Sequence, residues 1–469
     1  MSFKGEVTWD TDNTCTLRPV GKMNCSIKAF MNRALYDASE ENLWRQAATA
    51  AGMDGVKAMY LMPDTHYGFG IPIGGVVVTD DIMIQGGSGY DISCGMLLMK
   101  IEGLHADAIV DPAVRRAWIN AIEERVPTGV GSHRPPKMKE VRFEDIMGVL
   151  LHGVHGTPVD KGRCERPFLR VDEKHFDPKR IPKAFEKMAP QFGSLGGGNH
   201  FIEMQVDPKD STVWVVIHTG SRGYGWQTAN YYFYEGARLR GLPSNKREMS
   251  WLRWDEPLGK EYWAHHNSAA NYAIGNRHMI AAQVTGAIQE VLGVDTRLHY
   301  EISHNLIQEE SWGEDGKIAH GFVHRKGATR AFPAGHLDLW RTQWADTGHP
   351  IITPGSMLHG AALMMPLPGA VDSGFSVNHG AGRLLGRGQA KREFKDDQRA
   401  IDGEMNAHLV KCDDGTVVKG IMINGRKTPL DECGRVYKDL DTVLNVLEES
   451  KVAKVVRRLY PVANIKGLD

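Results

Sequence analysis

The stretch TVWVVIH, residues 212–218, runs straight into the glycine-rich turn TGSRGYG, residues 219–225. The apolar run from Val213 to Ile217 is too short and too apolar for an exposed helix, so it reads as a buried strand ending at a turn. GGVVVT, at 74–79, repeats the pattern, and short β-like runs alternate with glycine-rich turns elsewhere. Tyr262 to Leu292 reads differently: it is rich in alanine, with apolar residues at helical spacing, and predicts one long helix whose His and Asn residues are surface or packing residues. Asp111 to Arg125 is a second helical stretch. No low-complexity linker, internal repeat or composition break divides the chain. The expected fold class is α+β, with residues 1–469 as a single large mixed domain of central β-sheets flanked by helices.

Composition narrows the function classes. The chain is 42% hydrophobic and 24% charged, which excludes disorder as its main state. Its 56 basic and 57 acidic residues give a net charge of -1, so any nucleic-acid site has to be a local patch. The basic segment SHRPPKMK, at 132–139, reads as a solvated loop, with a phosphate-backbone contact as the alternative. The N-terminal residues carry no secretory pattern and no apolar run is long enough to span a bilayer, so no membrane association is expected. Cys15, Cys25, Cys94, Cys164, Cys412 and Cys433 form no CxxC pair, which fits a reducing cytoplasm. Glycine is 52 of 469 residues, about 11% against a usual ~7%, and His is 20. Together they suggest a site-rich enzyme.

Five glycine-rich blocks join β-like runs to residues able to bind metal or phosphate: MPDTHYGFGIPIGG (62–75), GGSGYDISCGM (86–96), GSLGGGNHFIE (193–203), VVIHTGSRGYG (215–225) and HRKGATRAFP (324–333). PGSM at 354–357 and NHGAGR at 378–383 follow. Asp91 and Cys94 lie three apart between glycines, His200 follows Asn199, and His218 and His304 end β-like runs. One carboxylate, one thiolate and three imidazoles suffice for two transition metals if the thiolate bridges. Each residue alone is more often structural: a strand-end His is usually hydrogen-bonded, and a lone Cys is usually a small buried hydrophobe. GSLGGGN, TGSRG, RKGATR and GAGR set backbone N–H groups beside hydroxyls and Arg or Lys, the makings of anion nests. None is a Walker A or dinucleotide-fold sequence. His379 stands among small residues beside Arg383, where an imidazole could act as a nucleophile toward phosphorus.

In this order the blocks resemble the RtcB-type RNA ligases. Pro63-Asp-x-His66, Gly89-x-Asp-x-x-Cys-Gly95, Gly198-Asn-His-Phe201, His218-x-Gly-Ser-Arg-Gly223, His304-Asn305, His324-Arg-Lys-Gly-Ala-Thr-Arg330, Pro354-Gly-Ser-Met357, His379-Gly-Ala-Gly-Arg383 and Ile465-Lys-Gly467 are all present. The resemblance implies an enzyme that seals RNA 2′,3′-cyclic phosphate or 3′-phosphate ends to 5′-hydroxyl ends, with GTP and two Mn2+ ions. It implies one manganese on Asp91, Cys94 and His200, a second on Cys94, His218 and His304, and GMP carried on His379. Asn199, Phe201, Glu203, Ser356, Arg383, Tyr437 and Lys466 match nucleotide-pocket positions, Glu203 facing the guanine edge, and Asp64 would support the metal site from outside the ligand set. Arg222, Arg325, Lys326, Arg330 and Arg387 could line an RNA groove. An archease-type activator is a candidate partner and a monomer the expected state.

Two departures stand out. Asn378 replaces the family's usual Ser before the reactive His, and Leu358, His359, Gly360 and Ala361 follow PGSM where Gly-Thr-x-Ser is usual. The hydroxyl expected near the base is absent at Ala361, which loosens the implied preference for guanine. A metal-dependent cyclic phosphodiesterase that does not ligate is the rival enzyme. An RNA-binding accessory protein with a retired active site is the rival binder.

Overall fold

Thr212–Thr219 forms a strand inside an eight-stranded sheet, and its apolar run is explained by what lies on each face. Val213, Val215 and Ile217 enter one apolar cluster, while Trp214 and Val216 enter another. Successive side chains of a strand point to opposite faces, so a strand covered on both sides has no polar alternation to show. The neighbouring strand Gly95–His105 behaves alike: Leu97 and Met99 join the first cluster, Met96 and Leu98 the second. The structure, a computed structural model, describes residues 2–129, 131, 141–154, 163–164, 168–314 and 317–467. The SHRPPKMK segment lies outside the described residues.

The sheet runs in the order Thr296–Ser303, Gly95–His105, Thr212–Thr219, Phe201–Val206, Ala453–Lys466, Ala361–Pro366, Ile351–Pro354, with Met422–Ile423 beside Ala453–Lys466. A seven-stranded sheet is ordered Val7–Trp9, Thr14–Leu17, Ile27–Phe30, Val56–His66, Ile73–Thr79, Lys317–Lys326, Asn305–Glu314. The GGVVVT run belongs to the Ile73–Thr79 strand, where Val76, Val77 and Val78 are fully buried. The two sheets meet at His304, the single residue between the strand ending at Ser303 and the one starting at Asn305. The His304 N–H donates to Cys94 O at 2.8 Å, and the Ser93 N–H donates to Asn305 O at 2.6 Å. The seam thereby fixes the Asp91–Cys94 turn against His304.

The long helix spans Pro257–Leu292, five residues earlier than the periodicity suggests, starting on a proline and closing on left-handed Gly293. One end of it packs in a cluster with Tyr224, Tyr232 and Phe233, and Ile280, Val284 and Ile288 pack under the eight-stranded sheet. Its His265, His266, Asn267, Asn271 and Asn276 are all buried; the asparagines tie down neighbouring backbone, as Asn271 does at Leu150 in the helix Phe143–His152 and at Leu169. The second helical stretch forms as Pro112–Glu123, with Asp111 accepting from the Ala113 N–H as its cap. The architecture is mixed α and β, built on central sheets flanked by helices.

Candidate active site

Five donors converge at the seam. Cys94 Sγ lies 3.4 Å from His200 Nε2 and 3.2 Å from His218 Nε2. His200 Nε2 is 3.0 Å from Asp91 Oδ2, and His218 Nε2 is 3.3 Å from His304 Nε2. Such separations suit donors sharing ions at bond lengths of about 2.0–2.3 Å. His218 gives its Nδ1–H to the Asn199 carbonyl at 3.1 Å, which leaves its Nε2 lone pair facing the cluster, while His200 places Nδ1 3.0 Å from Leu195 O and turns Nε2 toward the Asp91 carboxylate. Burial, reinforced by neighbouring imidazoles, holds His218 and His304 well below the usual imidazole range, so both are neutral. Burial and then Asp91 push the Cys94 thiol well above its ordinary value. A cation is what would make it a thiolate. Neutral imidazoles, a latent thiolate and a carboxylate fit divalent metal.

The turn geometry leaves room for Asp91. A Cβ on Gly220 would stand 2.3 Å from Asp91 Oδ1, so only glycine lets that backbone pass the carboxylate. Asp91 Oδ1 accepts from the Ser221 N–H at 3.0 Å. Arg277, on the long helix and fully buried, donates to Ser93 O at 2.6 Å, Thr219 O at 3.0 Å and Ser303 Oγ at 3.0 Å. Each of those residues adjoins a donor: Cys94, His218 and His304.

His379 borders the cluster, its ring centroid 5.0 Å from that of His304. Its Nδ1 lies 2.6 Å from Asp64 Oδ2, and Asp64 is fully buried. A carboxylate only accepts, so the ring donates through Nδ1 and keeps its Nε2 lone pair. Gly382, at φ +76°, lets the following turn close over Asp64, whose carbonyl a Cβ would approach to 2.3 Å.

A cavity of about 290 Å³ opens at His379. Asn199, Phe201, Glu203, Ser356, Arg383, Tyr437 and Lys466 all line it, with His218. Glu203 accepts from Asn464 Nδ2 at 2.6 Å and from Gln205 Nε2, and burial raises its carboxyl to about 7. Glu432 gathers the cavity's cations: Lys466 Nζ at 2.8 Å, Arg383 at 3.0 Å and Arg387 at 2.6 Å. Burial opposes its charge, but Lys466 and Arg387 hold it down to about 2. Phosphates arriving here would meet three cations already arranged around one carboxylate.

The tRNA-splicing ligase RtcB family matches residues 46–467. The chain belongs to the RtcB family. It is 33% identical over 462 residues to the tRNA-splicing ligase RtcB of Thermococcus kodakarensis, covering 91% of this chain and 92% of that one. It is 34% identical over 452 residues to the RNA-splicing ligase RtcB of Mycobacterium bovis, covering 90% and 99%. The tRNA-splicing ligase RtcB of Archaeoglobus fulgidus aligns over the full length of both chains at 30% identity.

Several RtcB-derived expectations meet a different geometry. Asp64 is bonded to His379 Nδ1, so it stands behind the ring that borders the donor cluster. Ala361 does not line the cavity; it starts the strand Ala361–Pro366 and is fully buried in the cluster containing Phe201 and Ile352. The neighbouring residues Ser356, Met357 and Gly360 line the cavity instead. Ser356 Oγ is engaged by His359 Nδ1 at 2.9 Å, and Asn378 bonds within its own turn, to Gly380 O at 2.6 Å. Arg325 faces no groove: it is buried and paired with Glu310 at 2.7 Å. Arg330 is likewise buried, its guanidinium 4.5 Å from the Phe332 ring centroid.

Glu432, Asn464, His66 and Arg277 were not legible as site residues. For Glu432 a signal existed in the acidic pair Asp431–Glu432 just before Tyr437. For Arg277 it was a charge on the helix face shared by Ala273, Ile280 and Val284. Asn464 joins the wall through a strand paired at Glu203, far off in sequence, while His66 pairs with Ile73 only seven residues along and stands inside the first glycine-rich block. All six cysteines are free, and among the described residues no helix is long and apolar enough to cross a membrane.

Proposed function

We propose that this chain is an RNA ligase that joins 2′,3′-cyclic phosphate or 3′-phosphate ends to 5′-hydroxyl ends, using GTP. The observation that carries this reading is the position of His379: held by Asp64, open to the nucleotide cavity, and one ring away from the donor cluster. Two Mn2+ ions, on Asp91, Cys94 and His200 and on Cys94, His218 and His304, would neutralise charge on the reacting phosphate oxygens.

In the first step His379 Nε2 attacks the α-phosphorus of GTP. The P–N bond forms, the bond to the β-phosphate oxygen breaks, and pyrophosphate leaves. The ring becomes cationic, and the Asp64 carboxylate at Nδ1 stabilises it. Lys466, Arg383 and Arg387 hold phosphate in line, while Glu203 accepts from the N1–H and N2–H edge of guanine. An oxygen of the RNA 3′-phosphate then attacks the same phosphorus, and the electron pair of the P–N bond returns to Nε2. Finally the 5′-hydroxyl oxygen attacks the activated 3′-phosphorus, loses its proton, and GMP leaves. Water opens a cyclic phosphate before activation.

Intact-mass measurement of the protein with Mn2+ and each ribonucleoside triphosphate tests the reading. A one-nucleotide adduct that survives alkali, breaks in acid and is absent from His379→Ala is expected, with GTP preferred. No adduct from any triphosphate, with cyclic-phosphate hydrolysis retained, would leave the donor cluster as the centre of a phosphodiesterase.

A further inference from the structure

A second cavity, of about 640 Å³, opens beside the first and shares His66, Ile73, Arg383 and Arg387 with it. One wall is the loop after the Val56–His66 strand, whose residues Tyr67 and Phe69 are 56% and 69% exposed. The backbone between those rings is not free to fold them inward. Gln46 clamps Gly68 from both sides, donating to its carbonyl at 2.6 Å and accepting from its N–H at 3.2 Å. Lys326 Nζ donates to Phe69 O and, at 3.0 Å, to Ile71 O. Lys438 Nζ holds the strand end through Pro63 O and Thr65 O, at 3.1 and 2.8 Å. Two large rings fixed in water on a clamped loop do nothing for the core, and such exposed apolar surface marks a binding face. Lys326, Lys438, Arg383 and Arg387 stand on this lining against Glu40, the one acidic residue among the described lining residues. Aromatic faces interleaved with cations suit a single nucleic-acid strand, whose bases stack while its phosphates meet the cations.

We propose that this cleft holds the single-stranded 3′ end of the RNA, its last bases stacked on Tyr67 and Phe69 and its terminal phosphate directed over Arg383 toward His379. The inference rests on the ligase reading for the end chosen, and it adds a base-stacking subsite to that reading. Stacking uses a face every base possesses, so the subsite is indifferent to sequence and requires unpaired bases.

The test is fluorescence anisotropy of a 5′-labelled RNA decamer ending in a 3′-phosphate, with the full-length protein. Tyr67→Ala/Phe69→Ala should weaken binding about 10- to 100-fold, Tyr67→Trp/Phe69→Trp should restore it, and a blunt duplex should bind poorly to all three. The His379 adduct forms without RNA, so its yield in each variant reports the fold and the nucleotide cavity independently. Equal RNA affinity in the alanine and wild-type proteins overturns the inference, as does an alanine variant that keeps RNA affinity but loses its response to an activator protein, which would make the rings a protein-docking surface. A wild-type protein that forms no adduct yet binds RNA through these rings would sink the ligase reading and leave the subsite standing.

Discussion

Asp64 Oδ2 lies 2.6 Å from His379 Nδ1, with the carboxylate fully buried and the imidazole opening onto the 290 Å³ cavity. The pair fixes the ring's tautomer and its orientation together. Asp64→Asn replaces an obligate acceptor with a group that can donate, so the ring can present Nδ1 as acceptor and carry its proton on Nε2. The nucleophilic lone pair is then lost while the cavity is unchanged. Adduct formation in single turnover should slow by about 10³- to 10⁴-fold, with triphosphate affinity held within a few-fold. Wild-type rates in Asp64→Asn would remove Asp64 from the chemistry.

On the proposed ligase reading, Glu203 makes base recognition pH-dependent. Burial raises its carboxyl to about 7 from an ordinary value of 4.5. A raised acid binds more protons folded than unfolded between those values, so its contribution to stability is fully present below about 4.5 and is lost as pH rises through about 7. Nucleotide binding runs the other way, because only the ionised carboxylate accepts two guanine N–H groups. GTP affinity should therefore rise with pH from 6 to 8, and Glu203→Gln should flatten that rise. Calorimetric titration at three pH values checks it; an unchanged slope in Glu203→Gln assigns the pH dependence elsewhere.

The strands and the reactive blocks were readable because both are local. Val213 to Ile217 announces a strand covered on two faces, and His379 stands in a turn of small residues whatever surrounds it. What stayed hidden is pairing over long distances in the chain. Arg325 reads as a phosphate contact beside Lys326, yet its strand pairs on both sides, and Glu310 takes its charge in the interior. Ala361 follows the PGSM turn closely enough to suggest a pocket position, but the chain has already entered the sheet against Ala453–Lys466. Spacing along a sequence does not say which face of a strand a residue occupies once its register is set by a partner about 100 residues away.

Glu432 is the counter-charge of the cavity's cations. Its side chain is 4% exposed and Lys466 is 5% exposed, so Glu432→Gln leaves a buried ammonium without its partner. Stability should fall by about 3–5 kcal/mol. Nucleoside triphosphate brings negative charge to the same cations, so GTP should raise the melting temperature of Glu432→Gln by more than it raises that of the wild type. Equal thermal shifts would mean that phosphate does not reach Lys466, Arg383 and Arg387.

Arg277 binds the donor loops into one unit. It meets Glu301 through Nε at 2.7 Å and through Nη2, with both side chains out of solvent, and gives further donors to Ser93, Thr219 and Ser303. A lysine keeps the charge but is a point donor on a flexible stem and cannot span one turn and two strand ends at once. Arg277→Lys should fold and should bind divalent metal about 10- to 100-fold more weakly, the usual cost of losing an outer support of a metal site. Titration of the metal-free protein with Mn2+, followed by electron paramagnetic resonance, reads this without any turnover. If Arg277→Lys proves too unstable, Arg277→Met/Glu301→Gln removes both charges at once and avoids an unpaired buried ion. Either variant binding Mn2+ as tightly as wild type would reduce Arg277 to a packing residue, and the order of the five donors would then have to come from the strand seam at His304 alone.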